Sequence, residues 1–331
     1  MLRDEMITVF GGSGFVGRYV VRALAKAGYR VRVATRRPHL SGDLRVLGVV
    51  GQVQLVQANL RDEASVKRAV EGAAGVINLV GILAESGKQR FHTLQARGAG
   101  LVAKAARDAG VQRFVHVSAI GADAGSKSKY AKTKALGEQA VREAMPDAAI
   151  LRPSIVFGAE DEFFNRFAAM ARFAPALPLI GGGKTKFQPV FVGDVAEAAH
   201  AALESDAANG RTYELGGPSI YTFKELMEFI LDTIKRKRLL VPIPFPLAMA
   251  MGASGELAAK FPFVEPFLTR DQVIQLKRDN VVGESGEDVG RIEDLGVETE
   301  TIEAIVPTYL ARYRKGGEFY EDPDKQARRN L

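Results

Sequence analysis

The 331-residue chain has no cysteine, no tryptophan and only four histidines. Without cysteine there is no disulfide, zinc–thiolate site, thiolate-held iron–sulfur cluster or thiol nucleophile. His39, His92, His116 and His200 stand at no spacing that suggests a metal. A long apolar run is missing too. The longest uncharged stretch, Leu239 to Gly255, has 17 residues and contains Pro242, Pro244 and Pro246, which would break a spanning helix. No leader segment is visible, because Met1-Leu-Arg-Asp-Glu5 runs straight into the strand-like Ile7-Thr-Val-Phe10. Lys and Arg number 45 against 39 Asp and Glu, a net charge of +6. The excess is uneven: residues 1–150 carry 23 Lys/Arg and 12 Asp/Glu, residues 151–331 carry 22 and 27. No basic stripe interleaved with aromatics accompanies it, so a nucleic-acid partner is not expected.

What is present is a globular composition, 47% hydrophobic and 25% charged. Short β-branched runs at 6–10, 30–35, 53–57, 76–80, 114–117 and 150–151 alternate with helical patterns at 16–27, 64–71, 91–109 and 130–144. Gly28, Gly72 and Gly110 stand where helices should stop. Apolar strands separated by helices predict an α/β fold, a Rossmann-type doubly wound parallel sheet. After Pro153 the alternation fades, and Gly181–Gly183 and Gly216-Gly217-Pro218 read as turns. The division is therefore a nucleotide-binding domain over 1–158 and a smaller mixed lobe over 159–313, with the chain crossing back to the main sheet around 187–217. A polar tail, 314–331, would order on a partner.

Gly11-Gly-Ser-Gly-Phe-Val-Gly17 follows the first strand and opens a helix. Glycines at 11, 14 and 17 allow a tight turn, close approach to a pyrophosphate and close packing of helix on strand. Ser13, Phe15 and Arg18 fall in or beside this loop. The second strand ends at Ala34-Thr-Arg-Arg37, with Thr35 where an NAD-selective site would carry Asp or Glu. Arg36 and Arg37 suit a 2′-phosphate, with Arg18 clustered beside them; the bland reading is a solvated basic turn. The preferred cofactor is NADPH/NADP.

The spacing of this loop resembles the extended and atypical short-chain dehydrogenase/reductases. Asn59-Leu60-Arg-Asp62 is similar to the family's adenine-side motif, with Asn for Asp. Val76-Ile-Asn-Leu79-Val80-Gly81 and Val117 are similar to the segments flanking the cofactor, and Leu151-Arg-Pro153-Ser154-Ile155-Val-Phe-Gly158 to the segment beside the nicotinamide. Val190-Phe-Val-Gly-Asp-Val195 is a further family signature.

Tyr130-Ala-Lys-Thr-Lys134 puts a phenol and an ammonium on one helix face. In that arrangement the cation favours the phenolate, and Tyr130 could exchange a proton near neutral pH. The resemblance implies a hydroxyl just past the fifth strand, but that position aligns with Ala119. Ser118 lies one residue early and would serve only if the strand has already ended; a loop hydrogen bond is the alternative. Glu160, Asp161 and Glu162 read as a solvated turn, Asp194 as the cap of a helix over 195–203, and His92, His116 and His200 as structural.

The C-terminal third narrows the resemblance. Phe261-Pro-Phe-Val-Glu-Pro-Phe-Leu-Thr-Arg-Asp-Gln-Val273, Lys277–Val281, Asp294–Val297 and Pro307–Tyr313 resemble the dehydrogenase-like accessory subunits of respiratory complex I and their bacterial relatives. That resemblance implies a tightly held NADPH and attachment to peripheral-arm subunits near the quinone site. It places the chain on the cytoplasmic, inner face of a bacterial plasma membrane, or on the matrix side in an organelle. Lys235-Arg-Lys-Arg238 before the apolar run could rest on a membrane surface; a solvated helix end is the other reading. The alternative function is a free-standing NADPH-dependent reductase, epimerase or isomerase using Tyr130 and Lys134.

Overall fold

The computed structural model describes residues 2–258, 266–284 and 286–317. Six apolar runs form β1 (Met6–Phe10), β2 (Arg30–Thr35), β3 (Val53–Gln57), β4 (Gly75–Asn78), β5 (Arg113–Val117) and β6 (Ala149–Pro153). Every residue of β1, β4 and β6 is buried, as strands covered on both faces require. Between them lie α1 (Phe15–Lys26), α2 (Glu63–Val70), α3 (Gly98–Asp108) and α4 (Lys129–Ala144). The helix expected over 91–109 begins instead with a π turn, His92–Arg97. There Gln95 is held from two sides, donating to the Ile82 carbonyl at 2.7 Å and accepting from the Thr133 hydroxyl at 2.9 Å.

The second half is built of shorter pieces. In chain order they are β7 (Val156–Phe157), α5 (Phe164–Phe173), β8 (Ala176–Ile180), β9 (Lys186–Phe187), β10 (Val190–Phe191) and α6 (Val192–Glu204). Then come β11 (Thr212–Leu215), β12 (Tyr221–Thr222), α7 (Phe223–Thr233), β13 (Leu239–Ile243), α8 (Phe245–Ala258), α9 (Arg270–Gln275), β14 (Gly290–Arg291) and α10 (Ile302–Leu310). The described residues form one eight-stranded sheet, ordered β14-β11-β6-β5-β4-β1-β2-β3 and parallel throughout. Strand order reverses between β1 and β4, which opens a crevice at the carboxyl ends of the strands. Val21 and Leu24 of α1 and Val195 and Ala199 of α6 help build one core. Val66, Val102 and Val141, from α2, α3 and α4, belong to a second. A third core, with Phe164, Leu226, Ile230 and Val306, holds the small lobe together.

Two acidic side chains depart from their sequence reading. Asp161 does not lie in a solvated turn: it is buried and accepts from the Tyr309 hydroxyl at 2.5 Å and the Asn165 amide at 3.1 Å. It ties α10 to the start of α5, and its partner Tyr309 lies too far along the chain for local reading to find it. Asp194 does not cap a helix either. The helix starts at Val192, placing Asp194 in its buried first turn, where it accepts from the Glu300 amide at 2.8 Å.

The basic stretch at 235–238 is partly structural. Arg236 donates to the Tyr313 carbonyl at 3.0 Å and Arg238 to the Ala171 carbonyl at 2.8 Å. Lys235 pairs with Asp232. The apolar run divides between β13 and α8, and Leu239 remains 71% exposed beside Phe173 at 83%. Among the described residues no helix is long and apolar enough to cross a membrane. Residues 259–265 of the aromatic motif and 318–331 of the tail lie outside the described residues.

Candidate functional site

The site grows from the end of β1. Gly11 turns the chain with φ +79°, and a Cβ there would stand 3.1 Å from the Leu79 carbonyl carbon. The Gly14 amide donates to the Gly11 carbonyl at 3.0 Å, and Gly14 then starts α1 with no side-chain cap. Gly17 is held more tightly still: a Cβ would come within 2.2 Å of the Gly11 carbonyl oxygen. No acidic residue occupies the first turn of α1, so its amides and positive dipole end are open to an anion.

These residues form the floor of a cleft of about 780 Å³ across the carboxyl ends of the strands. Gly11, Ser13, Gly14, Phe15 and Gly17 line it, together with Thr35 and Arg36 at the end of β2. Asn59 and Leu60 follow β3; Leu79, Val80 and Gly81 follow β4; Val117 ends β5; Pro153, Ser154 and Ile155 close β6. All are on the same wall because successive parallel strands end on one side of the sheet. The Ser13 and Thr35 hydroxyls are 3.3 Å apart, bringing the glycine loop against β2.

Arg18 and Arg37 are not on this wall. Arg18 pairs with Asp43, and Arg37 precedes a short turn of 3₁₀ helix, Pro38–Leu40. The expected cluster of three arginines thus reduces to Arg36, joined by Arg61, which the sequence reading passed over although it lies inside Asn59-Leu-Arg-Asp62.

Tyr130 and Lys134 line the middle of the cleft from α4. The helix start is fixed by Ser128, whose hydroxyl accepts from the Ala131 amide at 3.2 Å. It is fixed again by Asp271 of α9, which accepts from the Lys129 amide at 2.6 Å and the Ser128 hydroxyl at 2.9 Å. The small lobe therefore positions Tyr130. Lys134 donates to the Val117 carbonyl at 3.2 Å, and its nitrogen lies 5.9 Å from the Tyr130 ring centre. Burial pushes the lysine down to about 8, against a favourable field from Glu138.

Tyr130 departs from the expectation of an easily ionised phenol. Burial, with Asp271 second, pushes it up to about 12. Ser118 lies just past the end of β5, is 3% exposed and lines the cleft. Its hydroxyl does not make the loop hydrogen bond that was the alternative; among the described residues it has no partner. Ala119, aligned with the usual hydroxyl position, also faces the cleft. Behind them His116 is buried beside Asn78, its Nδ1 at 3.2 Å from the amide nitrogen. Burial, aided by Lys134, pushes it down to about 3, so it is neutral.

The sequence reading also missed four phenylalanines on the far side of the cleft, Phe163, Phe167, Phe187 and Phe223. They come from three separate parts of the chain, so no local spacing marks them.

A glycine turn at the start of α1, a doubly wound sheet and a Tyr–Lys pair define the class. Residues 7–216 match the NAD dependent epimerase/dehydratase family, and the chain belongs to that family. It is 39% identical to NADH dehydrogenase [ubiquinone] 1 alpha subcomplex subunit 9, mitochondrial, of Arabidopsis thaliana, over 94% of this chain and 78% of that protein. The Mus musculus protein of the same name is 37% identical, over 93% and 80%. Among solved structures, DesIV, a dTDP-glucose 4,6-dehydratase from Streptomyces venezuelae with NAD and TYD bound, superposes with a TM-score of 0.70. That likeness, at 20% identity over 96% of this chain and 99% of the other, is one of fold.

Proposed function

We propose that this chain is an accessory subunit of respiratory complex I that holds NADP(H) mainly as a structural ligand. The observation that carries the reading is the extent of the similarity to the subunit 9 proteins: it spans the small lobe as well as the nucleotide-binding half. The lobe is where a docking protein would differ from a free enzyme. Thr35 in place of an acid, with Arg36 on the cleft wall, supports NADP(H) over NAD(H). Ala119 at the aligned hydroxyl position supports binding without rapid turnover, with Ser118 beside it as the one hydroxyl at that end of β5. A ligand bound only by the folded state stabilises that state by mass action, so a permanently held nucleotide would clamp the sheet and the lobe together.

Its partners in this reading are peripheral-arm subunits near the quinone site, on the cytoplasmic face of a bacterial plasma membrane or its matrix-side equivalent. Exposed Phe173, Leu239 and Leu247, with Lys237 nearby in sequence, offer apolar and basic side chains for a membrane surface.

The cofactor part is tested by titrating the purified chain with NADPH and with NADH. Tighter binding of NADPH is expected, with Arg36→Asp weakening NADPH by roughly tenfold to a hundredfold and NADH little. Equal affinities in the unmutated chain would overturn the assignment.

A further inference from the structure

Residues 269–282 cross the cleft as a strap. Gln272, Gln275 and Asn280 line the cleft from it, yet Val273 is its one buried residue, and the others are half-buried or exposed. Its fastenings are polar and reach both banks. On the α4 side Asp271 accepts from the Ser128 hydroxyl at 2.9 Å and from the Lys129 and Tyr130 amides at 2.6 and 3.3 Å. Arg278 pairs at 3.0 Å with Asp123, in the segment that leads into α4. On the β6 side the Asn280 side-chain oxygen accepts from the Ser154 hydroxyl at 2.7 Å and the Ile155 amide at 3.1 Å. Between the two banks the Leu276 carbonyl accepts from the Thr185 hydroxyl at 2.5 Å, and Asp279 from the Lys186 amide at 2.8 Å. Ser128, Tyr130, Ser154 and Ile155 line the cleft themselves, so the strap is tied to both sides of the opening it spans.

The ends of the strap are anchored to the body of the protein. A Cβ on Gly252 of α8 would come within 2.7 Å of the Arg270 nitrogen, and Glu256 of α8 pairs with Arg270. At the far end the Gly283 amide donates to Glu214 of β11 at 2.7 Å. The middle rests on hydrogen bonds that water can replace, and a segment held in that way opens at far lower free energy than a packed core. All of these fastenings are to groups of the protein itself, so opening costs much the same whether or not a ligand lies beneath.

We propose that the strap is a gate, and that a dinucleotide enters and leaves the cleft only while Asp271, Arg278 and Asn280 have let go. The proposal rests on the reading of the cleft as the NADP(H) site and accounts for how a nucleotide is retained there. A gate of this kind slows entry and exit alike, so it sets the exchange rate and leaves the affinity nearly alone.

The chain has no cysteine, which leaves a clean background for a cross-link. Asp123→Cys and Arg278→Cys together, joined by a short reducible bis-methanethiosulfonate, tie the strap shut. Binding and release of NADPH by the full chain are followed by nicotinamide fluorescence in stopped flow. The cross-linked chain should take up NADPH, and release NADPH loaded beforehand, about tenfold or more slower than the same chain after reduction. In a second variant, Asp271→Ala, association and release should both quicken by roughly tenfold, with affinity moving less than either rate. Exchange at one rate before and after reduction overturns the proposal; the same molecules are compared, so any loss of stability in the variant cancels. Release that quickens in Asp271→Ala without faster association overturns it as well, because a lost contact to the nucleotide behaves in that way. An unmutated chain that binds neither NADPH nor NADH defeats the nucleotide reading and the gate with it. One that binds NADPH while cross-link and substitution leave its exchange unaltered defeats the gate alone.

Discussion

Asp194 shows what one buried carboxylate does to stability. Burial, with Glu300 and Glu197 close by, pushes it from its ordinary 3.8 up to about 6, although the Glu300 amide donates to it. Between those values the folded protein holds a proton that the unfolded chain has lost, so stability falls as pH rises from about 4 to 6. Asp194→Asn keeps an acceptor for Glu300 and removes the charge. It should raise stability at pH 7 by on the order of 2 kcal/mol and be nearly neutral below about pH 4, read as urea midpoints at both values. An unchanged midpoint at pH 7 would contradict the account. The sequence made such residues hard to read. Thr35 and Arg36 were legible because they sit at the end of a recognisable strand, where position alone sets what they face. Arg18 has its partner 25 residues away in Asp43, and Asp161 has Tyr309 148 residues away, so folding decided both against the local reading.

The glycine loop and α1 act as one element. Gly17 meets the Gly11 carbonyl oxygen, a backbone atom that cannot swing aside, so Gly17→Ala should force the helix off the loop. The expected cost is roughly 2–4 kcal/mol of stability together with loss of nucleotide binding, measured by denaturant unfolding and NADPH titration. A variant with unaltered midpoint and affinity would show that the loop is looser than the structure has it. Elements of this kind were legible: β1 to β6 and α1, α2 and α4 carry enough residues for periodicity to mark them. The π turn at His92–Arg97 was not, because its apolar spacing matches an ordinary helix until Gln95 is seen bonded to Ile82 and Thr133. Strands of two residues, such as β7, β9 and β14, have no period to detect.

At the scale of the whole molecule, residues from both halves of the chain line one cleft, and α9 holds the start of the helix that carries Tyr130 and Lys134. Asp271 of α9 accepts from the first amides of α4, which ties α9 to the helix that carries Tyr130 and Lys134. Residues 1–150 carry a net charge of +11 and the rest of the chain −5, and Arg36 and Arg61 place part of that excess on the cleft wall. The absence of cysteine means that a place beside a redox chain would be held by a nucleotide or by packing, not by thiolate-bound clusters. The central claim is that the chain works as part of a larger respiratory assembly. Its most direct test is native electrophoresis of mildly solubilised membranes carrying the tagged full-length chain, with the tagged band identified by mass spectrometry and its nucleotide extracted. Comigration with complex I subunits and recovery of NADP(H) from that band is the expected result; a chain that migrates alone, with no complex I subunit beside it, would contradict the account.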